Sequence, residues 1–273
     1  MKTTASIVTY LTDSQELSLC VKSLLADGID MVYIVDNSPG REIESLLHGN
    51  NAVTYIHNGK NLGYGTAHNI AIRRAMELGV EYHLVINSDV RFGHDTLGPI
   101  IRYMDANPGT GQLIPNMVYP DGSLQHSVRL LPTPADLILR RFLPDVLSRK
   151  LDNRYMLRFW NHSTPLDIPY HQGSFMFFRM SALKEVGLFD ERFFMYPEDI
   201  DITRRMHRRY RTMFWPEVTV VHDHRAASYH SFRMLCIHMI NMVRYFNKWG
   251  WFFDSERRRL NRATLDTISR LKD

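Results

Sequence analysis

The feature that most constrains this chain is the alternation of strand and helix patterns through its first hundred residues. Residues 5–10 read as a strand, and residues 14–26 as a helix with Leu17, Leu24 and Leu25 at helical spacing. A strand over 32–36, a short helix around 42–47, a strand over 53–56, a helix over 66–78 and a strand over 82–86 follow. Strands separated by helices imply a parallel sheet with right-handed crossovers. In such sheets ligands bind beyond the carboxyl ends of the strands, where Thr9, Asp36 and Asp89 fall.

Chemistry-bearing residues gather at those strand ends. Asn87-Ser88-Asp89 places a carboxylate directly after the apolar strand His83-Leu84-Val85-Ile86. A carboxylate there can hold a divalent ion against the phosphates of a nucleotide, or simply cap the next turn. Asp36 ends a second strand. Its carboxylate can accept from the imide N–H of uracil or thymine, and it can equally initiate the turn Asn37-Ser38-Pro39-Gly40. Asn61-Leu62-Gly63-Tyr64-Gly65 opens a helix whose glycines let the backbone approach a ligand and whose N–H groups favour anions. Glu198 and Asp199 supply paired carboxylates far downstream. Together these segments read as a nucleotide-sugar site.

Beyond residue 96 the order changes. A helix over 96–104 ends near Pro108, residues 111–118 read as a strand, Tyr119-Pro120-Asp121-Gly122 is a turn signal, and 123–129 reads as the hairpin partner. Residues 131–167, with Pro132, Pro134, Pro144 and Pro165, are expected to form an irregular, partly helical excursion over the site. A helical run over 231–249 follows Val220-Val221. A chain of 273 residues with 44% hydrophobic content can bury the core of one α/β unit. Cys20 and Cys236 are too few for a disulfide framework and lack zinc-ligand spacing, so buried thiols are expected.

Charge is uneven although the net is +4: Arg204, Arg205, Arg208, Arg209 and Arg211 cluster, as do Arg257, Arg258, Arg259 and Arg262. Such clusters imply a polyanionic partner or a solvated helix face. No nucleic-acid-binding motif is present, so phospholipid head groups or a pyrophosphate-linked acceptor fit better than nucleic acid. The chain runs straight into a strand without a signal pattern. No apolar run approaches the roughly 18 residues of a bilayer span, so the expected location is cytoplasmic, with the inner face of the cytoplasmic membrane as the alternative.

In order along the chain, Ser6-Ile7-Val8-Thr9-Tyr10, Val35-Asp36-Asn37-Ser38, Asn61-Leu62-Gly63-Tyr64-Gly65 with Asn69, Asn87-Ser88-Asp89-Val90, Gly173-Ser174-Phe175, Phe189-Asp190-Glu191-Arg192-Phe193-Phe194, Glu198-Asp199-Ile200-Asp201 and His222 carry a resemblance. The chain resembles family 2 glycosyltransferases of the GT-A fold, close to bacterial rhamnosyltransferase-like members that build cell-surface polysaccharides. The resemblance covers roughly residues 5–225. It implies a GT-A nucleotide-diphospho-sugar transferase fold: an α/β chain with a mostly parallel central sheet flanked by helices. The implied division is a catalytic unit over 1–225, with its nucleotide-sugar half at about 1–110 and its acceptor half at about 111–225, then a helical, aromatic and basic extension over 226–273.

The same resemblance implies residue roles. Thr9 and Tyr10 line the base pocket, Asp36 binds base or ribose, and Asn61, Gly63, Asn87, Ser88 and Gly173 contact the donor. Family members usually carry Asp-x-Asp at the metal site. Here the first position is Asn87, which leaves Asp89 as the principal contact of a Mg²⁺ or Mn²⁺ ion, with His222 assisting the metal or diphosphate. His224 shares the side of His222 if this segment is a strand. Asp199 is the implied general base of an inverting displacement, with Glu198 supporting acceptor or base and Asp201 structural. Glu198, Asp199 and Asp201 would also suit a helix N-terminus without any catalytic role.

The implied donor is a dTDP or UDP sugar, dTDP-rhamnose ahead of UDP-hexoses, and the implied acceptor is a glycan or a lipid-linked oligosaccharide. A sugar nucleotidyltransferase would need a Gly-rich, basic triphosphate loop near the first strand, and Leu11-Thr12-Asp13-Ser14 is unlike one. A nucleotide-sugar-binding scaffold without turnover would be expected to have lost Asp89 or Asp199, and both are present. The C-terminal aromatic and basic residues suit peripheral membrane contact, or a helix packed on the catalytic unit or on a second copy in a homodimer.

Overall fold

A computed structural model describes residues 2–47, 49–138, 149, 152–223 and 232–271. His224 and Pro144, both singled out in the sequence, lie outside the described residues. The elements in chain order are β1 (Thr3–Thr9), α1 (Ser14–Ala26), β2 (Met31–Asp36), β3 (Val53–His57), α2 (Tyr64–Glu77), β4 (Tyr82–Ile86), β5 (Val90–Arg91), α3 (Leu97–Ala106) and β6 (Thr110–Val118). Then come β7 (Val128–Arg129), α4 (Pro134–Leu137), β8 (Leu166–Asp167), β9 (Tyr170–His171), β10 (Phe175–Arg179), α5 (Met180–Val186), α6 (Glu198–His207), β11 (Arg211–His222), α7 (Phe232–Trp249) and α8 (Ser255–Arg270). The short helix expected near residue 44 is a single 3₁₀ turn, Glu44–Leu47.

The main sheet runs β3-β2-β1-β4-β10-β6-β11-β5, with β8 beside β11. The four N-terminal strands pair in parallel, as the alternation requires. Ile7, Ile34 and Ile86 share one register row, and all three are fully buried. Apolar side chains fill both faces of these strands because helices cover both. The sheet is mostly parallel, as expected, but antiparallel pairs enter it past β4. There β10 runs antiparallel to both β4 and β6, while β6 and β11 pair in parallel, so the sheet is mixed. The helix-strand alternation ends near β6, and strand direction beyond it depends on long-range pairing.

The predicted hairpin also needs correction. The turn is present: Tyr119 N–H donates to Ser123 O and Gly122 N–H to Tyr119 O, each at 2.9 Å, and Gly122 takes φ 82°. Strand pairing ends at the bridge between Val118 and Leu124. Val128 and Arg129 instead pair with His171 and Tyr170 in a separate two-stranded ladder.

One apolar cluster covers the sheet face carrying α1 and α3, and it includes Tyr245, Phe246, Leu260 and Ile268 from α7 and α8. A second lies under α2, α5 and α6, where Ala67, Ala71 and Ala75 let α2 approach the sheet closely. The arginine cluster is not a free basic patch. Arg204 pairs with Asp254 and Glu256, Arg205 with Asp201, Arg208 with Glu256, and Arg209 with Glu185. Among the described residues no helix is long and apolar enough to cross a membrane.

Candidate active site

The turn after β4 is anchored where Asn87 N–H donates to Ser174 O at 3.0 Å. The chain then enters β5, which pairs with the end of β11 so that Val90 faces His222. That pairing brings together two side chains far apart in sequence: His222 Nε2 lies 3.2 Å from Asp89 Oδ1. His222 Nδ1 lies 2.8 Å from Gln125 Oε1. With Nδ1–H donating to that oxygen, Nε2 presents its lone pair on the Asp89 side, the tautomer in which imidazole ligates a cation. Among the described residues no group of three or more His, Cys, Asp or Glu stands ready to hold a metal ion. An oxygen and a nitrogen donor set side by side, as in the Asp89–His222 pair, would suit an ion that takes its remaining ligands from phosphate oxygens and water, as Mg²⁺ and Mn²⁺ commonly do.

The second half of the site comes from the start of α6. Tyr196 precedes it in the left-handed region at φ 92°, an uncommon conformation for a bulky residue and one that accumulates at functional sites. Asp199 Oδ2 accepts from Gly173 N–H at 3.0 Å and lies 3.4 Å from the Tyr170 hydroxyl, while Oδ1 accepts from Ile200 N–H at 2.7 Å. Gly173 permits this close approach: a Cβ there would stand 3.3 Å from Asp199 Cβ, a tight contact. Glu198 Oε2 is buried with no hydrogen-bond partner among the described residues. Burial pushes the Asp199 carboxyl well above the ordinary range, opposed by the Ile200 and Gly173 N–H groups, Arg129 and Tyr170. Burial likewise raises Glu198, and neighbouring Asp199 adds to the rise. Two carboxyls so placed are suited to proton transfer near neutral pH.

A cavity of about 450 Å³ joins the two halves, lined by Asn87, Ser88, Asp89, Gly173, Glu198, Asp199 and His222 among others. The Tyr64 hydroxyl lies 2.7 Å from Gly173 O and 3.0 Å from Asn87 Oδ1, which fixes these two loops against each other. Thr9, Tyr10, Asp36, Asn61 and Gly63 do not line this cavity, although neighbouring Val8 does. Asp36 is fully buried: Oδ1 accepts from the Thr9 hydroxyl and Ser38 N–H, each at 3.0 Å, and Oδ2 from the Tyr55 hydroxyl at 2.7 Å. Burial works to raise its carboxyl, but the bonds from Ser38, Tyr55 and Thr9 hold it below the usual value. Asn61 Oδ1 accepts from Gly63 N–H at 2.9 Å, shaping the loop before α2. Gly63 sits at φ 87°, and a Cβ there would collide with the Phe194 carbonyl oxygen.

Sequence reasoning missed several lining residues: Tyr64, Arg129, Tyr170, Tyr196, His238 and Met242. Tyr64 sits inside a segment already singled out, and His238 and Met242 share a helix face at i, i+4. Nothing local marks Arg129 or Tyr170, whose two-residue strands are too short to show a period. Asp201 is tied to its neighbours: Oδ2 pairs with Arg205 at 2.9 Å, and Oδ1 accepts from Lys248 at 2.6 Å and from Trp249 Nε1–H at 2.8 Å.

This sheet order, with a carboxylate-lined cavity at its strand ends, defines a GT-A nucleotide-diphospho-sugar transferase fold. The chain belongs to glycosyl transferase family 2, whose profile matches residues 4–187. It is similar to the N-acetylglucosaminyl-diphospho-decaprenol L-rhamnosyltransferase of Mycobacterium tuberculosis (strain ATCC 25618 / H37Rv), 30% identical over an alignment of 199 residues, with 64% of this chain and 60% of that protein covered. The chain thus spans less than two thirds of that relative's length. Rhamnosyltransferase WbbL of Escherichia coli (strain K12) is 26% identical over 260 residues, 91% of each chain. Among solved structures, GalNAc-T7 with UDP, GalNAc and Mn²⁺ superposes with a TM-score of 0.63 at 13% identity, covering 82% of this chain and 43% of that one. The mannosyltransferase PcManGT from Pyrobaculum calidifontis, in complex with GDP-Man and Mn²⁺, gives 0.59 at 16% identity, covering 98% and 75%. At these identities the likeness to solved structures concerns the fold.

Proposed function

We propose that the chain transfers a sugar, rhamnose by the similarity to its named relatives, from a dTDP or UDP donor to a hydroxyl of a lipid-linked precursor of a cell-surface polysaccharide. The observation that carries this reading is the shared cavity, which holds a buried, proton-seeking carboxylate pair and the Asp89–His222 pair. Asp199 takes the proton of the acceptor hydroxyl as that oxygen attacks the anomeric carbon, and the nucleoside diphosphate leaves from the opposite face with inversion. Gly173 N–H and Tyr170 hold the Asp199 carboxylate in place, and Glu198 beside it raises the cost of leaving both ionised. Asp89 and His222 would hold a Mg²⁺ or Mn²⁺ ion, which when bound offsets charge on the leaving diphosphate. The nucleobase is assigned to the C-terminal end of β1, beside the half-exposed Tyr10, with the fully buried Thr9 and Asp36 supporting that wall from behind.

Replacing Asp199 by Asn keeps the shape and removes proton acceptance. Turnover in a donor-plus-acceptor assay is expected to fall roughly 10² to 10⁴-fold, while donor affinity measured by titration barely changes. Near-normal turnover in Asp199→Asn, or retention of the donor's anomeric configuration in the product, would sink this assignment.

A further inference from the structure

Arg129 stands directly opposite Tyr170 in the β7–β9 ladder, so the two side chains share a face. Its guanidinium lies 5.8 Å from the ring centroid of Tyr155 and 5.8 Å from that of Tyr170. Nε donates a long bond, 3.4 Å, to His126 O. Two aromatic faces and a carbonyl thus fix the fork of a half-buried cation on the wall of the cavity that holds Asp199. Among the described residues no carboxylate stands at ion-pair distance from it, in contrast to Arg204, Arg205 and Arg208, each of which has one within 3 Å. A buried guanidinium normally meets an anion, and its planar fork matches phosphate.

We propose that Arg129 is an acceptor-specificity residue: it binds a phosphate ester carried by the acceptor, beside the hydroxyl that Asp199 deprotonates. The inference rests on the reading of Asp199 as base. It places the phosphate on the acceptor side for two reasons. The Tyr170 that flanks Arg129 also reaches Asp199, whereas the donor phosphates belong to Asp89 and His222. The cavity wall also continues through Leu137, Met195, Leu235 and Met242, an apolar lining that suits hydrocarbon beyond a phosphate.

The test is calorimetric titration of protein saturated with Mn²⁺ and the nucleoside diphosphate that stabilises it best, so that the donor phosphate site is filled. The probes are N-acetylglucosamine 1-phosphate, methyl N-acetylglucosaminide and farnesyl diphosphate, against the unaltered protein, Arg129→Gln and Arg129→Lys. The phosphate is expected to bind about 10-fold more tightly than the neutral glycoside, with that preference lost in Arg129→Gln and partly kept in Arg129→Lys. Tighter binding of farnesyl diphosphate than of the sugar phosphate assigns the phosphate to a lipid linkage, and the reverse order assigns it to the glycan.

Equal binding of phosphate and neutral glycoside overturns the proposal, as does no binding of either phosphate. So does a variant that binds the phosphate normally but shifts the acid limb of the rate-pH profile, because Arg129 would then serve as counter-ion to Asp199. Donor hydrolysis by the unaltered protein is a separate readout. Its absence counts against the glycosyltransferase reading and leaves the phosphate preference to be judged by the titrations.

Discussion

At the scale of single residues, the site is governed by what burial does to carboxylates. Asp36 and Asp199 are both buried at strand or helix ends, yet they are driven in opposite directions. Asp36 collects two hydroxyls and an N–H, which stabilise its anion. Asp199 has donors too, but burial outweighs them, and Glu198 stands next to it. A carboxyl whose folded pKa is raised adds stability below its unfolded value, and that contribution is lost as pH rises through the folded value. The contribution of this pair is therefore expected to decline as pH climbs above the ordinary carboxylate range. Glu198→Gln, which removes one ionising partner, should flatten that decline. Tm measured from pH 4 to 9 checks this, and parallel curves for the two proteins would show that Glu198 titrates alike in the folded and unfolded states.

At the scale of elements, the C-terminal helices are bound to the catalytic part by charge as well as by packing. Arg204 on α6 is fully buried and meets Asp254 at 2.7 and 2.8 Å through two nitrogens. Asp254 also accepts from Arg257 N–H at 2.9 Å as the N-cap of α8. The Arg204 guanidinium lies 4.2 Å from the Trp249 ring centroid, which ties the end of α7 into the same knot. Asp254→Ala would leave the buried Arg204 with Glu256 as its remaining carboxylate and uncap a helix, so a loss of about 2 to 4 kcal/mol is expected in urea unfolding. A loss below about 1 kcal/mol would mean that the cation finds water or another partner. The extension thus follows the packed-helix reading of its sequence, with Tyr245 and Phe246 in the main core.

At the scale of the whole molecule, packing of α7 and α8 still leaves one aromatic edge outside. Phe252 and Phe253, in the turn between these helices, are 71% and 92% exposed, beside the exposed Arg258, Arg259 and Arg262 of α8. Aromatics flanked by arginines are suited to the interface of an anionic bilayer, where a lipid-linked acceptor would be met. Replacing both phenylalanines by Ser should reduce co-sedimentation with phosphatidylglycerol vesicles several-fold and leave Tm unchanged, because neither side chain contributes to the core. Unchanged sedimentation would remove this turn from any membrane role.

The sequence by itself determined the strands and helices from β1 to β4, because side-chain period is a local property that each segment carries alone. It also marked Asp89, Glu198, Asp199, Gly173 and His222 as chemistry-bearing. Their convergence was decided only in three dimensions. Asp89 meets His222 because the two-residue β5 pairs with the far end of β11, and Arg129 meets Tyr170 because β7 leaves β6 for β9. Pairings of such short strands carry no periodic signal. They are selected by the packing of the whole core, which also turned the predicted hairpin aside and set β10 antiparallel to β4.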